Sequence, residues 1–341
     1  MIEYQLKLKE TDAHTASFAL ASIPIVFMGT PEFAVASLDA LVRSGFNIAS
    51  VVTAPDKPAG RGMNLQQSAV KKYALDHGLH VMQPEKLRDP GFLSELKSLN
   101  AGLHVVVAFR MLPELVWNMP PLGTINLHGS LLPQYRGAAP INWAIINGEK
   151  ETGVTTFKLK HEIDTGDVLM QEKMSIGENE TAGELHDRMK ETGAHLLVQT
   201  VKGLIEGGLT EKTQASLVEE QAGQPELKHA PKISTNTCEI DFTKSVEGVH
   251  NLIRGLSPYP GAFTHLDGKL LKIYRSEKGT LTTPAGKPGQ YLTDDKNRLR
   301  FACSNGYLEV LELQLEGKKK MHVTEFLRGY RFRDDIGGGD Q

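Results

Sequence analysis

Two polar side chains stand two positions apart at the end of an apolar stretch. Asn126 and His128 belong to the run 125–140, which reads INLHGSLLPQYRGAAP. Residues i and i+2 of a β-strand point to the same side, so the amide and the imidazole would face one reacting atom together. A neutral imidazole can give and take protons near pH 7, and an asparagine NH₂ can stabilise a developing oxyanion. The spacing therefore predicts a proton-handling site with neither a covalent nucleophile nor a metal.

A second polar segment, residues 161–167 with the sequence HEIDTGD, can supply a carboxylate to this site. Asp164 comes shortly before a glycine that permits a tight turn. We expect its carboxylate to fix the tautomer of His128 and to raise the basicity of that ring. Asp167 is interpreted as a plain turn residue and His161 as a solvated side chain. The alternative for the whole set is that these polar side chains only cap the backbone at a strand end and a turn.

Two short segments carry basic residues that suit phosphate groups. Loop 54–64 contains two prolines and two glycines together with Lys57 and Arg61. Long irregular loops are uncommon unless they are functional, and these two cations can meet phosphates. Lys318 and Lys319 form a basic tip after a predicted strand, which can touch a nucleic-acid backbone. The alternative for both segments is a solvated surface without a partner.

The first two hundred residues alternate short apolar runs with runs of helical spacing. This alternation predicts an α/β domain with a doubly wound, mostly parallel sheet. The turn that follows the first strand has one glycine, Gly29, so a nicotinamide or flavin fingerprint is missing. The expected strands are 23–28, 47–53, 79–82, 102–108 and 124–127, with an added pair at 154–159 and 168–175; the expected helices are 31–43, 68–77, 90–99, 139–147 and 181–206.

The pattern changes in the rear third of the chain, where short strand-like runs dominate. Runs at 262–266, 270–274, 289–292, 299–302 and 307–314, followed by a helix at 322–328, predict a small C-terminal β-barrel of the oligonucleotide-binding (OB) type. The predicted organisation is an N-terminal extension at 1–22, a catalytic domain at 23–206, a linker with little fixed structure at 207–232, the barrel at 233–333 and a tail at 334–341.

Composition and charge fit a two-domain globular protein. The chain has 341 residues and a formal net charge of −3. Residues 1–223 hold 20 basic and 26 acidic side chains, whereas residues 224–341 hold 18 basic and 15 acidic ones. The rear part therefore suits binding to a polyanion; the alternative is chance variation of the surface charge. Cys238 and Cys303 lack the spacing of a zinc site, which favours buried thiols in a reducing cytosol. No apolar run reaches the ~18 residues of a membrane span, so we expect no membrane partner.

The motifs taken together resemble the methionyl-tRNA formyltransferases. The resemblance extends over about residues 23–333 and implies transfer of a formyl group from 10-formyltetrahydrofolate to the α-amine of methionine on initiator tRNA. It implies a cytoplasmic enzyme that needs no metal, and we expect a monomer. The segments that carry the resemblance are 26–34, 55–62, 126–140, 164–167 and 257–262.

The resemblance also implies roles for individual residues. The family's catalytic Asn, His and Asp fall on Asn126, His128 and Asp164, and its basic residue for the tRNA acceptor stem falls on Arg61. Its folate-contacting segment falls on Ser130, Leu131, Leu132 and Pro133.

Three features depart from the family pattern: the segment 1–22, Arg110 beside the expected pterin pocket, and Ala69 in place of a proline. Two other function classes stay open. One is another folate enzyme with the same front domain, such as a 10-formyltetrahydrofolate hydrolase or a sugar-nucleotide formyltransferase. The other is a tRNA-binding protein without catalysis.

Overall fold

Two compact units make up the chain, and each is assembled from separate segments of sequence. The computed structural model describes residues 22–59, 64–219, 226–279, 286–294 and 296–332. Among these described residues, the first unit takes in those between 22 and 136, 153–174 and 187–228, and the second takes in those of 137–152, 175–186 and 229–332. The sequence pattern predicts domains that are each one continuous segment, with boundaries at 206 and 232, and this division remains a prediction.

The first unit is built on a seven-stranded, mostly parallel sheet with the strand order β10-β9-β7-β6-β1-β2-β5. β1, β2, β5, β6 and β7 pair in parallel, and β9 pairs antiparallel with β7. Every residue of β1 and β6 is buried, as expected for parallel strands covered on both faces. The strands are β1 (Ile25–Gly29), β2 (Ile48–Val52), β5 (Val81–Met82), β6 (Leu103–Val107), β7 (Thr124–His128), β9 (Glu151–Lys158) and β10 (Val168–Ser175).

Helices alternate with these strands, and local sequence signals mark where they start. The side chain of Ser68 accepts a hydrogen bond from the backbone N–H of Lys71, and Asp89 caps the next helix by accepting from Phe92. The helices are α1 (Glu32–Arg43), α2 (Ala69–Asp76), α3 (Pro90–Ser98), α4 (Glu114–Trp117), α5 (Pro140–Ile146), α6 (Ala182–Glu206) and α7 (Gln214–Glu219). Of these, α5 lies in the segment 137–152 of the second unit. The α/β fold class predicted from the sequence is confirmed.

Gly29, at the end of β1, is required by packing. A Cβ at this position would lie 2.7 Å from the Cβ of Ala34 and 3.0 Å from the carbonyl oxygen of Val107. The glycine lets α1 approach the sheet closely, which explains a single glycine in this turn without a dinucleotide fingerprint.

Four short strands, β3, β4, β8 and β11, lie in the connections before the rear part of the chain. β3 (Lys57–Ala59) and β4 (Asn64–Gln66) form an antiparallel hairpin. β8 is Arg136–Gly137 and β11 is His229–Ala230. α7 and β11 fall inside the segment 207–232, where the sequence predicts a linker with little fixed structure. The structure differs from this prediction because the segment contains a helix whose first residue is anchored. Gln214, at the start of α7, is 4% exposed, and its side chain forms hydrogen bonds with Arg136, Asp164 and Gly166.

The second unit contains the antiparallel sheet expected for the C-terminal barrel domain. Its strand order is β12-β13-β16-β15-β14, and β17 pairs with β16. Buried apolar side chains from α9 and the sheet, among them Val246, Ile253, Phe301 and Leu308, form one core. Cys238 and Cys303 are buried free thiols, as expected. The elements are α8 (Thr235–Cys238), α9 (Val246–Gly255), β12 (Ala262–Leu266), β13 (Lys269–Lys278), β14 (Tyr291–Thr293), β15 (Leu299–Cys303), β16 (Gly306–Leu315), β17 (Met321–His322) and α10 (Val323–Gly329).

In the part of the chain that the structure describes, no helix combines the length and the apolar character that crossing a membrane requires.

Candidate active site

Asn126 and His128 both lie on β7, at positions that share one face of the sheet. Antiparallel pairing with β9 places Phe157 opposite Asn126 and Thr155 opposite His128, so these cross-strand partners line the same face. Phe157 is fully buried, and its ring meets the imidazole of His128 edge-on with 6.4 Å between ring centroids. An apolar wall therefore stands beside the two polar groups.

The hydrogen bonds of His128 determine which ring nitrogen can accept a proton. Its Nε2 lies 2.9 Å from the carbonyl oxygen of Tyr135. A carbonyl can only accept, so Nε2 carries a hydrogen, and Nδ1 holds the lone pair of the neutral ring. Nδ1 lies 3.9 Å from Oδ2 of Asp164, which is an ion-pair distance and too long for a hydrogen bond. The tautomer is thus fixed by the Tyr135 carbonyl, whereas the sequence assigned that task to Asp164.

The carboxamide of Asn126 carries an unusual atom. Its Oδ1 is buried and has no hydrogen-bond partner among the residues that the structure describes. Buried polar atoms normally have partners, so an unpartnered one next to His128 is consistent with a group that serves a ligand. A carboxamide can present either its oxygen or its NH₂ to such a ligand.

The loop that carries Asp164 is held tightly against β9. Asp164 has a φ of 55°, a left-handed conformation that is costly for a residue with a side chain. A Cβ at Gly166 would come within 1.5 Å of the carbonyl oxygen of Lys158, so only glycine fits there. The N–H of Lys158 also donates to Asp167 over 3.0 Å. These contacts place the Asp164 carboxylate near His128. The carboxylate of Asp167 forms an ion pair with Lys160 at 2.7 Å.

The segment 130–133 is shaped by hydrogen bonds from β9 and β10. Thr155 Oγ1 donates to the carbonyl of Ser130 over 2.7 Å and accepts from the N–H of Leu132 over 3.1 Å. Gln171 Nε2 donates to the carbonyl of Leu132 over 2.9 Å. The chain after β7 is therefore fixed in one backbone path.

Burial limits how this segment can contact a ligand. Ser130 is 0% exposed and its hydroxyl donates to the carbonyl of Gln134. Leu132 and Pro133 are also buried, whereas Leu131 is half-buried. Ser130 and Leu132 thus shape the backbone, and Leu131 retains accessible surface.

The basic residues expected to contact tRNA lie in different parts of the chain. Lys57 is exposed on β3, and Arg61 lies outside the described residues. Lys318 and Lys319 are exposed in the turn that follows β16 in the second unit.

The base of the β3–β4 hairpin is held by an ion pair that the sequence did not indicate. Lys71 Nζ lies 2.6 Å from Oδ2 of Asp56, and Gln83 Nε2 donates to Oδ1 of the same carboxylate over 2.8 Å. Hydrogen bonds from Lys71 and Gln83 lower the pKa of Asp56. The hairpin that bears Lys57 therefore starts from a fixed point.

Arg110, one of the departures from the family pattern, is engaged by backbone. Its guanidinium donates to the carbonyl oxygens of Pro84 and Glu85 and lies 5.6 Å from the ring centroid of Phe109. Burial lowers the pKa of this guanidinium. The side chain thus joins the segment after β6 to the segment after β5.

Tyr135, Thr155 and Gln171 were not identified as site residues from the sequence. Thr155 could have been found by alternation along β9, since it faces His128. Tyr135 acts through its backbone carbonyl, for which a residue type gives no signal. Within the described ranges, no group of three or more His, Cys, Asp or Glu side chains is arranged to hold a metal ion.

Comparisons with known proteins show to which family the chain belongs. The profile of the formyl transferase family matches residues 23–201, and that of the formyl transferase C-terminal domain matches residues 232–331. The methionyl-tRNA formyltransferase of Bacteroides fragilis is 51% identical over 315 residues, covering 91% of this chain and 96% of that protein. The methionyl-tRNA formyltransferase of Flavobacterium johnsoniae is 47% identical over 322 residues, covering 93% and 99%.

Solved structures share the fold at lower identity. A sugar 3N-formyltransferase solved in the presence of dTDP and 5-N-formyl-THF matches with a TM-score of 0.63 and 20% identity, covering 87% of this chain and 99% of that one. The N-formyltransferase of Helicobacter canadensis matches with a TM-score of 0.62 and 21% identity, covering 88% and 100%. The identity over almost the whole chain, rather than this shared fold, shows that the chain belongs to the methionyl-tRNA formyltransferase family.

Proposed function

We propose that this enzyme formylates the α-amino group of methionyl-tRNA by direct attack at the site formed by Asn126, His128 and Asp164. The observation that carries the proposal is the orientation of His128, whose proton-accepting Nδ1 faces a carboxylate and whose side chain shares a face with Asn126. When bound, 10-formyltetrahydrofolate supplies the formyl group and a leaving nitrogen, N10.

The residues present fit a formyl donor of this kind. The carboxamide of Asn126, whose Oδ1 has no partner among the described residues, offers hydrogen bonding to the formyl group, and the ring of Phe157 offers an apolar wall. The fixed backbone of 130–133 can border the folate, with Leu131 as its accessible side chain.

Asn126 and His128 have separate tasks in the transfer. As the amine attacks the formyl carbon, the NH₂ of Asn126 stabilises the negative charge that develops on the formyl oxygen, a contribution of the oxyanion-hole type. His128 Nδ1 takes the proton that the attacking amine must lose. The same proton goes to N10 as its bond to the formyl carbon breaks, so the proton balance closes without a metal.

Asp164 stabilises the charged ring between these two proton transfers. A carboxylate 3.9 Å from Nδ1 favours the imidazolium. The attraction between unit charges at about this distance is about 4 kcal/mol at an effective dielectric constant of about 20. Because Nε2 is already held by the Tyr135 carbonyl, the ring does not turn when Nδ1 is protonated.

The acceptor side of the reaction depends on basic residues outside this site. Lys57 and Arg61, and Lys318 and Lys319 of the second unit, would contact phosphates of the initiator methionyl-tRNA. We further propose that the enzyme acts as a monomer in the cytoplasm, where its charged tRNA is made.

One assay tests the proposal directly. Formyl transfer from 10-formyltetrahydrofolate is measured with charged initiator tRNA, uncharged tRNA, a sugar-nucleotide amine and water as competing acceptors. Formyl-methionyl-tRNA as the main product supports the proposal. Formate release without dependence on tRNA would assign the chain to the hydrolase alternative, and formylation of the sugar amine to the small-molecule alternative.

A further inference from the structure

We infer that Gln214 is a positioning residue for the reaction, because it fixes the backbone of Asp164 next to His128. The inference rests on the proposed function, since Gln214 would act only through the carboxylate. Gln214 opens α7 and is 4% exposed despite its polar side chain. Burying a carboxamide is unfavourable unless its hydrogen-bonding groups find partners.

The partners of the Gln214 NH₂ are two carbonyl oxygens of the catalytic loop. Nε2 donates to the carbonyl of Asp164 over 2.8 Å and to the carbonyl of Gly166 over 2.9 Å. Asp164 has a left-handed φ of 55°, a strained conformation that persists only where the surroundings hold it. The two hydrogen bonds hold the backbone on both sides of Thr165 and so support this conformation.

Arg136 determines how the Gln214 carboxamide is oriented. Its Nε and Nη2 both donate to Gln214 Oε1, over 2.9 Å and 2.6 Å. A flipped carboxamide would set NH₂ against a guanidinium and oxygen against two carbonyls, so only one orientation is compatible with these partners. Both donors and both acceptor positions of the side chain are thereby used.

The hydrogen-bonded network of Gln214 and Arg136 is adjacent in sequence to Tyr135, which orients His128. Arg136 follows Tyr135, whose carbonyl accepts from His128 Nε2, and Tyr135 also has a left-handed φ, of 59°. The Arg136–Gln214 contact therefore joins the strained residue that orients His128 to the strained residue that carries the Asp164 carboxylate. In this network Arg136 anchors the Gln214 carboxamide, and the carboxamide in turn positions the backbone of Asp164.

Two variants separate this role from simple packing. Gln214→Leu keeps a side chain of similar length and removes all four hydrogen bonds. Gln214→Glu keeps the shape but sets a carboxylate oxygen against the two loop carbonyls. In each variant we expect kcat to fall about 10²-fold, the effect typical of a displacement of about 1 Å in a catalytic group. The KM values for 10-formyltetrahydrofolate and methionyl-tRNA should stay within about threefold, because the hydrogen bonds of the Gln214 side chain go to protein groups.

A neighbouring residue provides the matched control. Thr213 Oγ1 accepts from the N–H of Ser216 at the start of α7, so Thr213→Val disturbs the same helix end without touching the Gln214 carboxamide. Its kcat should equal that of the parent enzyme. A loss in Thr213→Val as large as that in the Gln214 variants would overturn the inference, because it would show a general effect of α7.

A double-mutant cycle with Asp164→Asn completes the test. If Gln214 acts through the carboxylate, adding Gln214→Leu to Asp164→Asn should lower kcat by less than about threefold, since coupled residues are non-additive. Independent multiplication of the two losses, or a Gln214→Leu enzyme with unchanged kcat, would overturn the inference. A normal kcat in Asp164→Asn alone would instead contradict the proposed function. If Gln214→Leu does not fold, Gln214→Glu carries the same cycle.

Discussion

Nδ1 of His128 lies 3.9 Å from Oδ2 of Asp164, and both side chains are largely withdrawn from solvent. At this separation the carboxylate attracts a positively charged ring without a direct hydrogen bond to it. The geometry suits a histidine that accepts a proton from one nitrogen and passes it to another, because the positive charge exists only between the two transfers.

The first prediction concerns the histidine. His128→Ala should lower kcat for formyl transfer by about 10²–10⁴-fold, the usual contribution of a general acid–base. Binding of methionyl-tRNA, measured by filter binding, should stay near normal because the proposed phosphate contacts lie outside this site. Near-normal turnover in this variant would contradict the assignment of the site.

Asn126→Ala should separate activity from stability. We expect kcat to fall by about 10²–10³-fold through loss of an oxyanion donor. Since Oδ1 of Asn126 makes no hydrogen bond to a described residue, the free energy of unfolding should change by no more than about 1 kcal/mol. Steady-state kinetics measures kcat, and chemical denaturation measures the free energy of unfolding. A large loss of stability with little loss of kcat would contradict the proposed role of Asn126.

Thr155→Val tests the scaffold of the segment 130–133. Removing the hydroxyl leaves the carbonyl of Ser130 and the N–H of Leu132 without this partner, so we expect a stability cost of about 1–3 kcal/mol. The KM for 10-formyltetrahydrofolate should rise because the segment loses its fixed path.

Thr156→Val is the matched control for that experiment. Thr156 is the adjacent buried residue of β9, and its hydroxyl bonds to Thr200 over 2.8 Å rather than to the segment 130–133. A comparable stability cost with an unchanged folate KM is expected. An equal rise of the folate KM in both variants would show that a general disturbance of β9, rather than the loss of the hydrogen bonds to the segment 130–133, raises the KM.

Arg61→Ala and Lys57→Ala should weaken the use of methionyl-tRNA in a salt-dependent way. Each lost phosphate contact should reduce the slope of log affinity against log salt by about 1, with the folate KM unchanged. Lys202→Ala on α6, an exposed lysine beside Glu206, serves as the control. If the salt-dependence slopes of the Arg61→Ala and Lys57→Ala variants equal that of the Lys202→Ala control, neither residue contacts the tRNA phosphates.

The stability of the protein should depend on pH through His104. This residue of β6 is fully buried, and burial lowers the pKa of its imidazole from 6.5 to about 4. Between these two pKa values only the unfolded chain takes up the proton, so stability falls as pH falls from 6.5 toward 4. The contribution at pH 5 is about 2 kcal/mol, from 1.36 kcal/mol per pKa unit.

His104→Leu should remove this dependence. The free energy of unfolding is measured by urea denaturation at pH 7 and at pH 5, for the parent protein and the variant. Its decrease from pH 7 to pH 5 should be smaller in the variant by about 2 kcal/mol. Equal drops in both proteins would mean that His104 does not titrate as its burial requires.

The sequence by itself determined the features that depend on near neighbours. Alternation along β7 puts Asn126 and His128 on one face, and apolar runs interrupted by helical spacing lead to a mostly parallel sheet. Serine and aspartate at positions 68 and 89 mark helix starts because their side chains satisfy backbone N–H groups a few residues away. Such rules act over short distances, so they can be read along the chain.

The tertiary structure decided the features that join distant segments. The oxygen that fixes the tautomer of His128 is a backbone carbonyl of Tyr135, which residue types do not reveal. Gln214 meets Asp164 across 50 positions, from a segment whose composition predicts a linker. Periodicity and propensity carry no information on which loop folds back onto which strand. That choice depends on burying polar side chains only where partners exist, and those partners are assembled only when the whole unit folds.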